Sequence, residues 1–109
     1  MSYNVKSIAV FEKQAKRLSK KFPSLKKELA NLIEELKIKP ILGTSLGNNC
    51  YKIRFSISSK GKGKKGGARV ITNVVVIERN VYLLSIYDKS EKADVTNKEL
   101  AELLSYIPK

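Results

Sequence analysis

The chain has 109 residues, an apolar fraction of 42% and a net charge of +12, from 22 cations and 10 acids. One folded domain with a strong basic bias follows, and disorder is excluded as the default. Histidine is absent and Cys50 is the lone cysteine, which removes histidine acid–base catalysis, histidine-activated nucleophiles, an intrachain disulfide and a cysteine metal cluster.

Asn4 to Val10 reads as a short first strand. A helix is predicted from about Phe11, because Phe11, Ala15 and Leu18 recur at i, i+4 and i+7 between solvated Lys and Arg. Phe22-Pro23-Ser24 breaks that pattern, and Ser24 is suited to cap a second helix. Leu25, Leu29, Leu32, Ile33 and Leu36 form the apolar stripe of that helix. Lys37 to Lys39 suit its C-terminus, and Pro40 prevents continuation. The short connection predicts an antiparallel helical hairpin. Ile41 to Asn49 then reads as a loop.

Tyr51 to Arg69 carries seven cations (Lys52, Arg54, Lys60, Lys62, Lys64, Lys65 and Arg69) and no acid. Tyr51, Ile53, Phe55 and Ile57 share one parity, while Lys52, Arg54, Ser56 and Ser58 share the other. That period of two is a strand with one apolar and one basic face. The following KGKGKKGG cannot be a strand interior; its glycines and lysines make it a basic loop in water. Arg69 to Ile77 reads as the returning strand and Glu78-Arg79-Asn80 as a tight turn. Val81 to Tyr87 is apolar on both parities, as in a central strand buried on both faces. Asp88 to Val95 is a charged connection. Thr96 to Tyr106 is a last helix, with Thr96 and Glu99 spaced as a capping box and Leu100, Leu103, Leu104 and Ile107 as its stripe.

The order β-α-α-β-β-β-α defines an α+β domain spanning 1–109. Its sheet is antiparallel, mixed by the first strand, and covered by an N-terminal helical hairpin and a C-terminal helix. We expect all the helices on one face, with Lys52 and Arg54 projecting from the other. Clustered positive charge asks for a polyanion. The acids are spread out, with none inside the basic hairpin, so no two-metal nuclease set is evident and no cofactor is implied. The longest strictly aliphatic run, Val74 to Ile77, is too short for a signal-peptide core or a membrane span. The lone thiol fits a reducing, cytoplasmic setting.

The ordered set of the N-terminal helical hairpin, YKIRF at 51–55, GGARVI at 66–71 and YLLSIYDKSEKADVTNKEL at 82–100 resembles a RelE/HigB-type toxin of bacterial toxin–antitoxin pairs. The resemblance covers nearly the whole chain. It implies a small RNase-like fold that enters the ribosome and cuts mRNA without a metal. It also implies neutralisation by an antitoxin, a helix-turn-helix HigA-like protein in HigB-type systems. Lys52 and Arg54 fall on the family's basic strand residues, Arg69 on its arginine in the next strand, and Lys89 and Lys92 in its basic segment after the last strand. Some RelE-type members carry a tyrosine near the start of the last helix, where this chain has Val95 and Thr96.

Cleavage of RNA by its own 2′-hydroxyl needs that proton removed, charge on the phosphorane stabilised and the leaving oxygen protonated. Arg69 and Arg54 suit charge stabilisation because a guanidinium contacts two phosphate oxygens at once. Lys52, crowded by Arg54, or Tyr87 would handle the 2′-proton, and Lys89 the leaving group. Lys60, Lys62, Lys64, Lys65 and Lys92 would contact RNA or ribosome. Plainer readings stand beside these. Lys52 and Arg54 could be the wet side of an ordinary strand, and Lys89 and Lys92 could balance Asp88, Glu91 and Asp94. A ParE-like gyrase poison, a non-catalytic basic RNA-binding relative and an inactive toxin are the alternatives.

Overall fold

A computed structural model describes residues 2–60 and 66–108. Five strands form one mixed sheet in the order β1-β5-β4-β3-β2. They are β1 (Asn4–Ser7), β2 (Thr44–Gly47), β3 (Cys50–Phe55), β4 (Ala68–Val75) and β5 (Asn80–Asp88). The helices are α1 (Ala9–Lys21), α2 (Leu25–Ile38) and α3 (Asn97–Ser105). β1 runs parallel to β5, and every other pairing is antiparallel.

The expected element order stands, with one addition. The segment read as a loop contains the edge strand β2, which pairs Thr44 with Lys52 and Ser45 with Tyr51. Its sequence, TSLG, has too little apolar alternation to announce a strand. Gly47 and both asparagines of the following turn take positive φ, at 84°, 53° and 59°. These are the residues that tolerate the left-handed region. Gly43 is required more strictly. At φ +89°, a Cβ there would lie 2.2 Å from the Lys52 carbonyl oxygen.

β5 is buried at all nine positions and β4 at all but its last, as expected of central strands covered on both faces. The cover is not all on one side. Leu25, Leu29, Leu32 and Leu36 of α2 are buried, and Leu32 lines a cleft with Ile53 and Phe55. The helical hairpin therefore covers the apolar face of β3. Register puts Lys52, Arg54, Arg69 and Tyr87 on the other face. Asp94, just ahead of α3, hydrogen-bonds to Lys52 and Tyr87. At the far end of α3, Tyr106 shares a cavity with Lys6 and Tyr82. Thus α3 crosses the face expected to stay open, burying Leu100 and Leu103 against the sheet.

Local signals behave unevenly. Thr96 and Glu99 form the anticipated capping box. Ser24 precedes α2, but its hydroxyl bonds to Glu28 and Ser59 and caps no helix N–H.

Candidate nucleic-acid interface

The cationic face is assembled by strand register. Arg54 stands opposite Arg69, and Arg69 stands opposite Tyr87, so three neighbouring strands bring these side chains to one row. Lys52 is two residues from Arg54 along β3, on the same side. Directly opposed like charges are unfavourable in a sheet, so the Arg54–Arg69 pair opposes stability at this place. Arg54 is exposed and Lys52 half-buried, whereas Arg69 is only 4% exposed. One Arg69 nitrogen donates to the Ala68 carbonyl at 3.1 Å.

Asp94 enters this row as a carboxylate. It forms an ion pair with Lys52 at 3.3 Å, accepts a hydrogen bond from the Tyr87 hydroxyl at 3.3 Å and accepts the Val95 N–H at 2.8 Å. Burial, followed by the charge and hydrogen bond of Asp94, pushes the Tyr87 phenol up to about 12, although Arg69 acts the other way. The Val95 N–H, then Lys52 and Tyr87, outweigh partial burial and hold Asp94 below its ordinary range. The Lys92 ammonium lies over the Tyr87 ring at 5.8 Å and pairs with Glu99. Lys89 donates to the Ala93 carbonyl at 3.1 Å.

A second knot holds the mouth of the basic loop. Asp88, 1% exposed, pairs with Lys60, whose side chain is only 9% exposed. Ser90 donates its hydroxyl and N–H to the same carboxylate oxygen, at 2.7 and 3.0 Å. Burial raises the Asp88 carboxyl, but Lys60 and Ser90 more than offset it, and the group titrates at about 2. Lys21 and Lys60 both face the Phe22 ring, at 5.3 and 5.9 Å. The Lys89 N–H reaches the Gly67 carbonyl at 3.0 Å. Asp88 and Lys89 thus hold both flanks of the loop. Glu28 accepts from Ser58 and Ser24 and ties the same region to α2.

The site residues proposed from sequence therefore divide. Lys52, Arg54, Arg69 and Tyr87 share one face, with Lys92 against Tyr87. Lys60 turns inward to Asp88. Lys62, Lys64 and Lys65 lie outside the described residues. The acids of the charged connection find partners elsewhere. Asp88 takes Lys60, Glu91 takes Arg17 at 2.9 Å, and Asp94 takes Lys52. Sequence reading passed over Asp94 as a site residue. Its place two residues before the Thr96 cap was the available signal, since that position fixes a side chain at the head of a helix.

The geometry agrees with a solved fold. A double-mutant E. coli toxin RelE in the free state aligns with a TM-score of 0.59 at 17% identity, covering 99% of this chain and 100% of that one. At that identity the likeness establishes the RelE fold. The family model described as "RelE toxin of RelE / RelB toxin-antitoxin system" matches residues 8–107. The chain belongs to the RelE toxin family, and is by that membership a toxin of a toxin–antitoxin system, with an antitoxin as partner.

Proposed function

We propose that this toxin is a ribosome-dependent, metal-independent mRNA endoribonuclease of the HigB-like branch, working in the cytoplasm and neutralised by a helix-turn-helix HigA-like antitoxin. The observation that carries the reading is the row of Lys52, Arg54, Arg69 and Tyr87 across three adjacent strands. Such a row offers charge to one phosphate and little to a purely protein target.

The roles follow from exposure and charge. Arg54 and Lys52 are reachable and hold the scissile phosphate. Arg69 is buried behind them. It contributes positive potential from a low-dielectric place, where a fixed charge acts strongly on a developing anion. Tyr87 stays protonated at neutral pH, so it donates a hydrogen bond and does not act as a base. Lys89 protonates the leaving 5′-oxygen. The ribosome supplies what the site lacks by holding the codon in an in-line geometry. For the antitoxin, a groove of about 470 Å³ on the helical hairpin has an apolar floor of Ala15, Leu29 and Ile33 beneath Lys16, Lys20 and Lys26. An acidic amphipathic helix fits that surface.

Primer extension on a defined mRNA, translated in a reconstituted system and also offered without ribosomes, tests the reading. Codon-phased cuts on translated message only, lost in Arg69→Ala, are expected. No cuts from the folded wild type would move the protein to the gyrase-poison or inactive class, and gyrase supercoiling would be assayed next.

A further inference from the structure

A carboxylate among groups that bind phosphate repels the ligand the site is built for. Asp94 therefore needs a reason to be there, and its hydrogen bonds suggest one. Oδ1 accepts from the Val95 N–H at 2.8 Å, the Tyr87 hydroxyl at 3.3 Å and the Lys52 ammonium at 3.3 Å. Oδ2 receives Lys52 alone, at 3.3 Å, among the described residues. The Asp94 side chain is 58% exposed. One oxygen is anchored, then, while the other keeps accepting capacity beside the ammonium that would hold the phosphate.

Resting on the ribonuclease reading above, we propose that Asp94 is the general base of the reaction, taking the 2′-hydroxyl proton through Oδ2. The chain has no histidine for this task. Tyr87 is committed as a donor to Asp94 itself. Lys52 is ion-paired to the same carboxylate, so the like-charge crowding by Arg54 is offset. Asp94 is ionised at neutral pH and therefore ready to accept a proton.

The step balances without a further reagent. As its proton passes to Oδ2, the 2′-oxygen forms a bond to the adjacent phosphorus. The bond from phosphorus to the 5′-oxygen breaks, its electron pair leaves on that oxygen, and the Lys89 ammonium protonates it. The products are a 2′,3′-cyclic phosphate and a 5′-hydroxyl. Asp94 then releases its proton to water, and Lys89 regains one.

A plain anchor for the segment ahead of α3, or a mask over Lys52, would use the same contacts, and Asp94→Asn separates these roles. Asparagine keeps an oxygen for Val95 and Tyr87 but cannot take a proton. Single-turnover cleavage of translated mRNA is measured on purified ribosomes, with ribosome affinity and a thermal melt in parallel. We expect Asp94→Asn to slow cleavage about a hundred- to ten-thousand-fold, with affinity held or tightened and folding intact, and Asp94→Glu to recover part of the rate. Equal or faster cleavage by Asp94→Asn overturns the assignment and leaves the nuclease reading standing. So does a rate that falls only in step with affinity or folding. No cleavage by the wild type overturns the nuclease reading, and this assignment with it.

Discussion

Replacing Asp88 with asparagine tests the knot at the mouth of the basic loop. Asparagine preserves the shape and the oxygen that accepts from Ser90, but leaves the Lys60 ammonium without its buried counter-charge. The carboxyl titrates at about 2 in the fold, against roughly 3.9 for a free aspartate. A depression of that size corresponds to about 2–3 kcal/mol of folding stability at neutral pH. Breaking a buried ion pair by removing one partner costs about 3–5 kcal/mol where the orphaned charge is trapped. The Lys60 side chain keeps some contact with solvent, so the lower figure applies. We expect Asp88→Asn to lose about 2–3 kcal/mol in urea denaturation at pH 7. The sign of the pH dependence follows. The folded value lies below the unfolded one, so the stabilisation is complete above roughly pH 4 and disappears as pH falls towards 2. The two stability curves should therefore converge over that interval. Other depressed carboxylates, such as Glu28, Glu91 and Glu99, occur in both proteins and cancel in the difference. A difference below about 0.5 kcal/mol at pH 7, within ordinary surface-substitution scatter, or one that persists unchanged at pH 2, would refute the argument.

Three further outcomes are expected. Gly43→Ala puts a methyl group against the Lys52 carbonyl at a backbone angle alanine avoids; the loss should reach about 2 kcal/mol or more by chemical denaturation, and a neutral result would mean that β2 is not held as described. The double variant Lys52→Met/Arg54→Met should flatten the salt dependence of single-stranded RNA binding by roughly 0.7 per lost phosphate contact. Lys60→Met should leave that slope unchanged, because Lys60 is spent on Asp88; a flattened slope there would return Lys60 to the RNA-binding set.

Much of this architecture was legible in the chain because its signals are local. The alternation from Tyr51 to Phe55, the leucine stripe of α2 and the Thr96/Glu99 pair each report on a few consecutive residues. The edge strand β2 was not legible, since TSLG pairs through its backbone and leaves little pattern in its side chains. Nor was the side of the sheet taken by α3. Its stripe of Leu100 and Leu103 says that one face is buried, not against which surface. The site shows the same division. Lys52 and Arg54 announced themselves by parity, while the ties from Lys60 to Asp88 and from Lys52 to Asp94 join residues 28 and 42 positions apart. Separation of that kind is set by the packed sheet, and a lysine in a basic run looks the same whether it ends in water or against a buried acid.

The parallel pairing of β1 with β5 also bears on how the molecule is made. Asn4 to Ser7 find their partners only at Asn80 to Leu83. During synthesis from the N-terminus, the first strand and both helices emerge long before the strand they pack against exists. α1 packs chiefly on β5, so the hairpin has little to cover until then. Contacts of such long separation fold late and slowly. A chain stopped before residue 80 should therefore show no cooperative unfolding, and the cationic row would close only once Tyr87 of β5 has been made. On the ribonuclease reading proposed above, the toxin would thus be harmless to the ribosome that is making it until β5 has been made.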